Sequence, residues 1–347
     1  MSLPNPLELT VQALLAPGKG ILAADESLPT IGRRFTALNV VSTEENRRAW
    51  RELLFTTPGL GDYISGVILF EETLQQRSRD GVPLPEILTR QGIVPGIKVD
   101  GGTRPLPGSA GEKITQGLDG LAGRLTAFRA LGARFTKWRA VIAIGANLPT
   151  AAGVEANARA LALFASLSQQ AGLVPIVEPE VLMDGDHPLA RCEEVTGAVL
   201  QTVFAALREQ RVALETMLLK TGMVLSGHDC GQQAATAEIA AATLRCLRAA
   251  VPAAVPGIVF LSGGQAAVPA TERLNAICAA PGLPWRLSFS YGRALQDPAM
   301  KIWRGSPDQR AAAQAALFHR ARCNGRAVLG GYSPDVEREA GGGFSAP

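Results

Sequence analysis

The stretch ETMLLKTGMVLS at positions 215–226 decides the fold, because it reads as a short apolar strand with one lysine, Lys220, near its middle. An ammonium is costly to bring into an apolar interior unless it is paired or gives up its proton. Two readings account for it. In one, the lysine stem packs on apolar neighbours at a strand end while its head reaches water. In the other, a desolvated amine serves as a nucleophile that forms a Schiff base with a carbonyl. Lysine usage bears on the choice. Only six of the 34 basic residues are lysine, and three of those, Lys98, Lys137 and Lys220, lie inside apolar, strand-like runs. Arginine keeps its proton in proteins and cannot replace lysine as a nucleophile.

Outward from this stretch, apolar runs suited to strands recur at 20–25, 63–70, 94–100, 134–144, 174–182, 257–263 and 286–292, which with 216–224 makes eight. Amphipathic runs suited to helices fall between them, near 43–55, 84–90, 117–131, 154–171, 188–211, 234–251 and 269–279, with a last one across 294–322. Eight alternations of strand and helix, with strands apolar on both faces, predict an α/β fold: a parallel sheet closed into a single-domain (β/α)8 TIM barrel. A doubly wound open sheet is the alternative, but no GxGxxG follows the first strand. The barrel is expected over 1–323, with an N-terminal extension, and the glycine-rich, charged stretch 324–347 is expected to be a mobile tail.

Composition narrows the function. A formal charge of +3 without basic runs argues against a nucleic-acid footprint or a membrane-surface patch. A small-molecule partner is expected. No segment reaches membrane-spanning length, and the start MSLPNP lacks the features of a signal peptide, so a cytoplasmic protein is expected. Five scattered cysteines and three distant histidines suggest neither a disulfide framework nor a catalytic metal, and no cofactor is expected.

Barrel enzymes build their sites at the carboxyl ends of the strands, and the polar residues gather there. Asp25 ends the first run, Lys98 the third, Lys137 and Arg139 lie in the fourth, Glu178 and Glu180 in the fifth, Lys220 in the sixth. Ser262 and Gly263 end the seventh; Gly292 and Arg293 end the eighth. Residues two apart share a strand face, so Lys137 should point with Arg139 and Glu178 with Glu180. If that face is the interior, lysines and carboxylates converge. Lys137 would then lower the lysine pKa by like charge, and Glu178, raised by an apolar wall or by Glu180, could protonate a departing carbinolamine hydroxyl. Asp25 could accept a proton from a substrate hydroxyl. The glycine-rich ends of strands seven and eight, with Arg293, suit a phosphate. The natural reaction of a phosphorylated ketone bound as an iminium is aldol cleavage next to the carbonyl.

At KGILAADES (19–27), GIKVD (96–100), QGLDGL (116–121), KWR (137–139), PIVEPE (175–180), LLK (218–220), FLSGGQ (260–265) and FSYGRA (289–294), the sequence resembles the class I fructose-1,6-bisphosphate aldolases, over most of its length. The resemblance implies a homotetrameric barrel that needs no metal. It would interconvert fructose 1,6-bisphosphate with dihydroxyacetone phosphate and glyceraldehyde 3-phosphate in glycolysis and gluconeogenesis. It makes Lys220 the Schiff-base lysine and Glu178 the acid/base, with Asp25, Lys137 and Glu180 as proton-transfer and positioning groups. Ser262, Gly263, Gly292 and Arg293 match a C1-phosphate pocket, and Ser27, Lys98 and Arg139 the region of the C6 phosphate. The chain departs from the family pattern at Gly101, at Thr221-Gly222 and at its end, where no tyrosine stands. The alternatives are a Schiff-base aldolase for another phosphorylated ketose and a catalytically weak binding protein on the same frame.

Overall fold

The computed structural model describes residues 5–339. The eight expected strands form as β1 Gly20–Ala24, β2 Ile64–Leu69, β3 Val94–Lys98, β4 Phe135–Ile142, β5 Val174–Val181, β6 Leu218–Thr221, β7 Gly257–Phe260 and β8 Arg286–Tyr291. Each runs parallel to its neighbours, and β8 pairs with β1, Ile21 opposite Ser290, so the sheet closes. Closure rules out the open-sheet alternative. The strands are apolar on both faces because each faces two cores. Outside, helices such as Ala151–Gln170, Leu189–Glu209 and Thr236–Ala250 cover the sheet with residues including Phe164, Val199 and Leu247, packed in one core with strand residues such as Trp138.

The inner core is small and sits at the amino end of the barrel. Ile21, Ile68, Phe135, Val174, Ile176, Leu218 and Val259 form it, together with Val11, Leu14 and Leu15 at the end of the helix Pro6–Leu14. That helix closes the barrel floor, and the Ser65 hydroxyl pins it by donating to the Leu14 carbonyl at 2.6 Å. Phe135 fills the floor because glycine stands across from it: a Cβ on Gly96 would overlap its ring. Aromatic bulk opposite missing side chains packs the interior at the amino end and leaves the carboxyl end to polar groups.

Three differences from expectation have physical causes. The stretch expected as one helix over 294–322 is two, Arg293–Trp303 and Arg310–Val328, because Arg304 and Gly305 adopt positive φ and end the first. The expected mobile tail is ordered where it is described: residues 324–328 continue the helix, Pro334–Arg338 forms another, and the fully buried Asn324 bonds Thr271 and the Arg320 carbonyl. Gly325 there serves a close approach, since a Cβ would meet the Gly18 carbonyl at 2.6 Å. Residues 340–347 lie outside the described residues. Finally, the loop after β3 carries an unexpected hairpin, Thr103–Pro105 paired with Lys113–Thr115.

Gly96→Ala is expected to destabilise the fold by about 1–3 kcal/mol through overpacking. Gly123→Ala, in open space on the helix Leu121–Ala130, should stabilise it by roughly 0.5–1 kcal/mol. Chemical denaturation of both variants checks the pair.

Candidate active site

The twelve residues singled out from the sequence line one cavity of about 910 Å³ at the carboxyl end of the barrel. Strand register brings them there. Lys98 is paired with Lys137 across β3 and β4, and Arg139 with Glu178 across β4 and β5. The side chains of Lys137 and Lys220 are about 4–5 % exposed, and Glu178 is as deeply placed.

At the centre, the Glu178 carboxylate stands between two ammonium positions. Its Oε2 lies 2.9 Å from Lys137 Nζ, an ion pair without hydrogen-bond alignment, and its Oε1 lies 3.2 Å from Lys220 Nζ. Lys137 also donates to Asp25 Oδ2 at 2.9 Å. The chain of charges therefore runs Asp25, Lys137, Glu178, Lys220, alternating in sign.

Burial by itself pushes the Lys137 ammonium down, but Asp25 and Glu178 outweigh it and hold its pKa above the ordinary lysine value. The alternation reverses the expectation for Glu178. Burial likewise pushes Glu178 up, and Lys137, Lys220 and Arg139 outweigh it, so this carboxyl is held below its ordinary value. The apolar wall that would have raised it is absent among its charged neighbours. Asp25 follows the same rule: burial raises it, and Lys137, Lys220 and Lys98 bring it well below the usual carboxylate range. Glu178 is thus held as the ionised carboxylate.

Around this centre, Glu180 pairs with Arg139, and Lys98 pairs with Asp100 at 2.6 Å. Ser27 caps the helix Leu28–Thr36 on the same side of the mouth as Arg139 only in the sense that both line the cavity; its hydroxyl is 3.2 Å from that of Thr30. At the ends of β7 and β8, Gly263 and Gly264 adopt positive φ, and Gly292 precedes the helix that begins at Arg293. Gly264 gives room to the exposed Arg293 guanidinium, since a Cβ there would stand 3.4 Å from Nη2. Backbone N–H groups at a helix start and in glycine turns, beside a guanidinium, can hold a phosphate.

Sequence reasoning missed Arg34, Arg51 and Gln296, and placed Glu26 and Ser290 at strand ends without giving them a role. Glu26, next to Asp25, is clamped by Arg34 and by Arg51, the latter at 2.7 Å. Arg51 sits on the inner face of the helix Glu44–Phe55 and looks in the sequence like any surface arginine, so nothing there marks it. Gln296 donates to the Ala23 carbonyl at 2.6 Å and accepts from the Trp50 indole, steadying the strand that carries Asp25. Ser290, buried at the end of β8, turns its hydroxyl oxygen to the cavity wall without a hydrogen-bond partner among the described residues.

Comparison with known proteins agrees with this geometry. The family model for class-I fructose-bisphosphate aldolase matches residues 6–344. A Xanthomonas campestris protein named "Probable fructose-bisphosphate aldolase class 1" is 55% identical over 92% of this chain and 96% of its own. "Fructose-bisphosphate aldolase 4, cytosolic" of Arabidopsis thaliana is 52% identical over 92% of this chain and 82% of its own. Among solved structures, the fructose-bisphosphate aldolase of Plasmodium falciparum, crystallised with TRAP and a small-molecule inhibitor, superposes with a TM-score of 0.94 at 47% identity, covering 96% of this chain and 98% of that one. The chain belongs to the class I fructose-bisphosphate aldolase family.

Proposed function

We propose that Lys220 is the amine through which this chain carries out the reaction of its family, reversible aldol cleavage of fructose 1,6-bisphosphate, and that Glu178 moves the protons. The observation that carries the assignment is the single carboxylate within 3.2 Å of Lys220 and 2.9 Å of Lys137, at the floor of a cavity with phosphate-suited turns on its rim. Lys220 passes a proton to Glu178 as its nitrogen attacks the C2 ketone carbon, and Glu178 delivers that proton to the alkoxide oxygen to make the carbinolamine hydroxyl. Glu178 then takes a second proton from the same nitrogen and, now a carboxylic acid, gives it to the hydroxyl. The C–O bond breaks, water leaves, and an iminium remains.

Cleavage of the C3–C4 bond then sends its electron pair into the iminium, giving an enamine. The C4 hydroxyl must lose its proton as the aldehyde forms. Asp25 is engaged in the hydrogen bond from Lys137, and we assign this proton to Glu178, again ionised and next to Lys220. Asp25 instead fixes Lys137, whose positive charge stays in place throughout and stabilises anionic oxygen at C3 and C4. Protonation of the enamine carbon and hydrolysis of the imine release dihydroxyacetone phosphate. Ser262, Gly263, Gly292 and Arg293 hold the C1 phosphate, and Ser27, Lys98 and Arg139, with Glu180 orienting Arg139, hold the C6 phosphate. Family membership also supports a homotetramer acting in the cytoplasm; sedimentation measures the first.

Treatment with dihydroxyacetone phosphate and borohydride is expected to leave one stable adduct, on the peptide carrying Lys220, and Lys220→Arg to leave none. An adduct on another lysine, or an active Lys220→Arg variant, removes the assignment. Lys137→Met should cost about 3–5 kcal/mol of stability at neutral pH, because it strands two buried carboxylates. In the wild type, Asp25 and Glu178 have folded pKa values below their unfolded ones, so their contribution is present above the carboxylate range and lost as pH falls through it. In the variant the sign inverts, and the deficit should shrink on acidification; denaturant titrations at several pH values check it.

A further inference from the structure

Away from the cavity, three residues of different chemistry converge at the end of the described chain. His319 and Cys323 lie one turn apart on the helix Arg310–Val328 and so share a face, and Glu337 reaches them from the helix Pro334–Arg338. Among the described residues they are the one set of three His, Cys, Asp or Glu side chains whose ligand atoms all fall within 4.8 Å of one another. None of them lines the catalytic cavity.

The spacing is informative. His319 Nε2 lies 3.6 Å from Cys323 Sγ and 3.7 Å from Glu337 Oε1. A tetrahedral zinc ion bound at its usual distances to nitrogen, sulfur and oxygen sets its ligands roughly 3.4–3.6 Å apart. Two of the three separations therefore stand close to what such an ion would impose, and the third, between Cys323 and Glu337, is within 4.8 Å. The carboxylate is also braced as ligating carboxylates are: Arg320 donates to Oε1, and the Tyr332 hydroxyl donates to Oε2 at 2.7 Å. Each oxygen keeps a lone pair for a further partner.

We propose that His319, Cys323 and Glu337 form a binding site for a borderline-soft divalent cation, zinc first, with a fourth position left to water. A thiolate, an imidazole and a carboxylate disfavour magnesium and calcium, which take oxygen ligands. Binding displaces the Cys323 thiol proton to solvent, and the thiolate and carboxylate together balance the dication, so the flanking Arg320 and Arg322 keep their charges. His319 and Glu337 are partly exposed and open the site to solvent, while Cys323 is buried beneath them. The ion would clip the helix Pro334–Arg338 to the barrel's last long helix, a role separate from the aldol chemistry and independent of it.

Cobalt(II), a spectroscopic stand-in for zinc, tests the site on the full chain. One equivalent should produce a thiolate-to-cobalt charge-transfer band in the near ultraviolet, abolished by one equivalent of zinc. Cys323→Ser should lose the band, and His319→Gln should bind cobalt at least tenfold more weakly, while both keep the cleavage activity. Cys230→Ser, at a partly exposed cysteine elsewhere, should retain the band. No band in the wild type, or a band that survives Cys323→Ser, overturns the proposal. Should Cys323→Ser fail to fold, His319→Gln decides: unchanged cobalt affinity overturns it, and the predicted weakening, with a zinc-dependent rise in Tm lost in the same variant, sustains it.

Discussion

The structure depends on one carboxylate held between two amines. Glu178 touches both Lys137 and Lys220 in a space from which water is largely excluded, and no member of that trio is tolerable there alone. Two lysines side by side would repel each other. Glu178 alone would take up a proton. Together with Asp25 they form a run of alternating charge in which every group has an opposite neighbour. On the proposed assignment, attack on a ketone needs protons to move only from the Lys220 nitrogen to Glu178 and on to the substrate oxygen. The groups are already in contact, so little reorganisation accompanies the step.

That arrangement is possible because the rest of the barrel interior is dry and full. Phe135 against Gly96, and Leu14 and Leu15 from below, occupy the amino half so completely that polar side chains have a rigid floor to stand on. Successive inward residues of one strand show the division: Phe135 belongs to the floor, Lys137 to the charged layer, Arg139 to the mouth. Behind the mouth, Gln296 and the Arg34, Glu26 and Arg51 cluster tie the end of β1 to three helices, which keeps Asp25 in reach of Lys137.

Much of this was legible in the sequence, for reasons particular residues make plain. A strand covered on both faces is apolar throughout, so a charged residue near its carboxyl end stands out; Lys137, Glu178 and Lys220 were found that way. The two-residue repeat then placed Arg139 with Lys137 and Glu180 with Glu178. What escaped was whatever depends on the relation between distant strands. Whether Lys137 faces Lys220 directly or through Glu178 is set by the stagger of β4, β5 and β6, which leaves no local trace, and the expected direction of the Glu178 shift was inverted for that reason. The helix Pro6–Leu14, expected only as an N-terminal extension, starts on a first-turn proline and is capped by Asn5. The helical continuation through Asn324 escaped because glycine was taken for mobility where Gly325 serves close packing against Gly18 and Tyr63.

The central claim is that Glu178, as an ionised base shared by two lysines, is what makes the Lys220 nitrogen attack. Rapid-mixing measurement of imine formation on Lys220, in the wild type and in Glu178→Gln, tests it most directly. The account predicts that the amide, unable to take or return the proton, slows imine formation about 10²–10⁴-fold while Lys220 remains the residue modified. An unchanged rate in Glu178→Gln would contradict it.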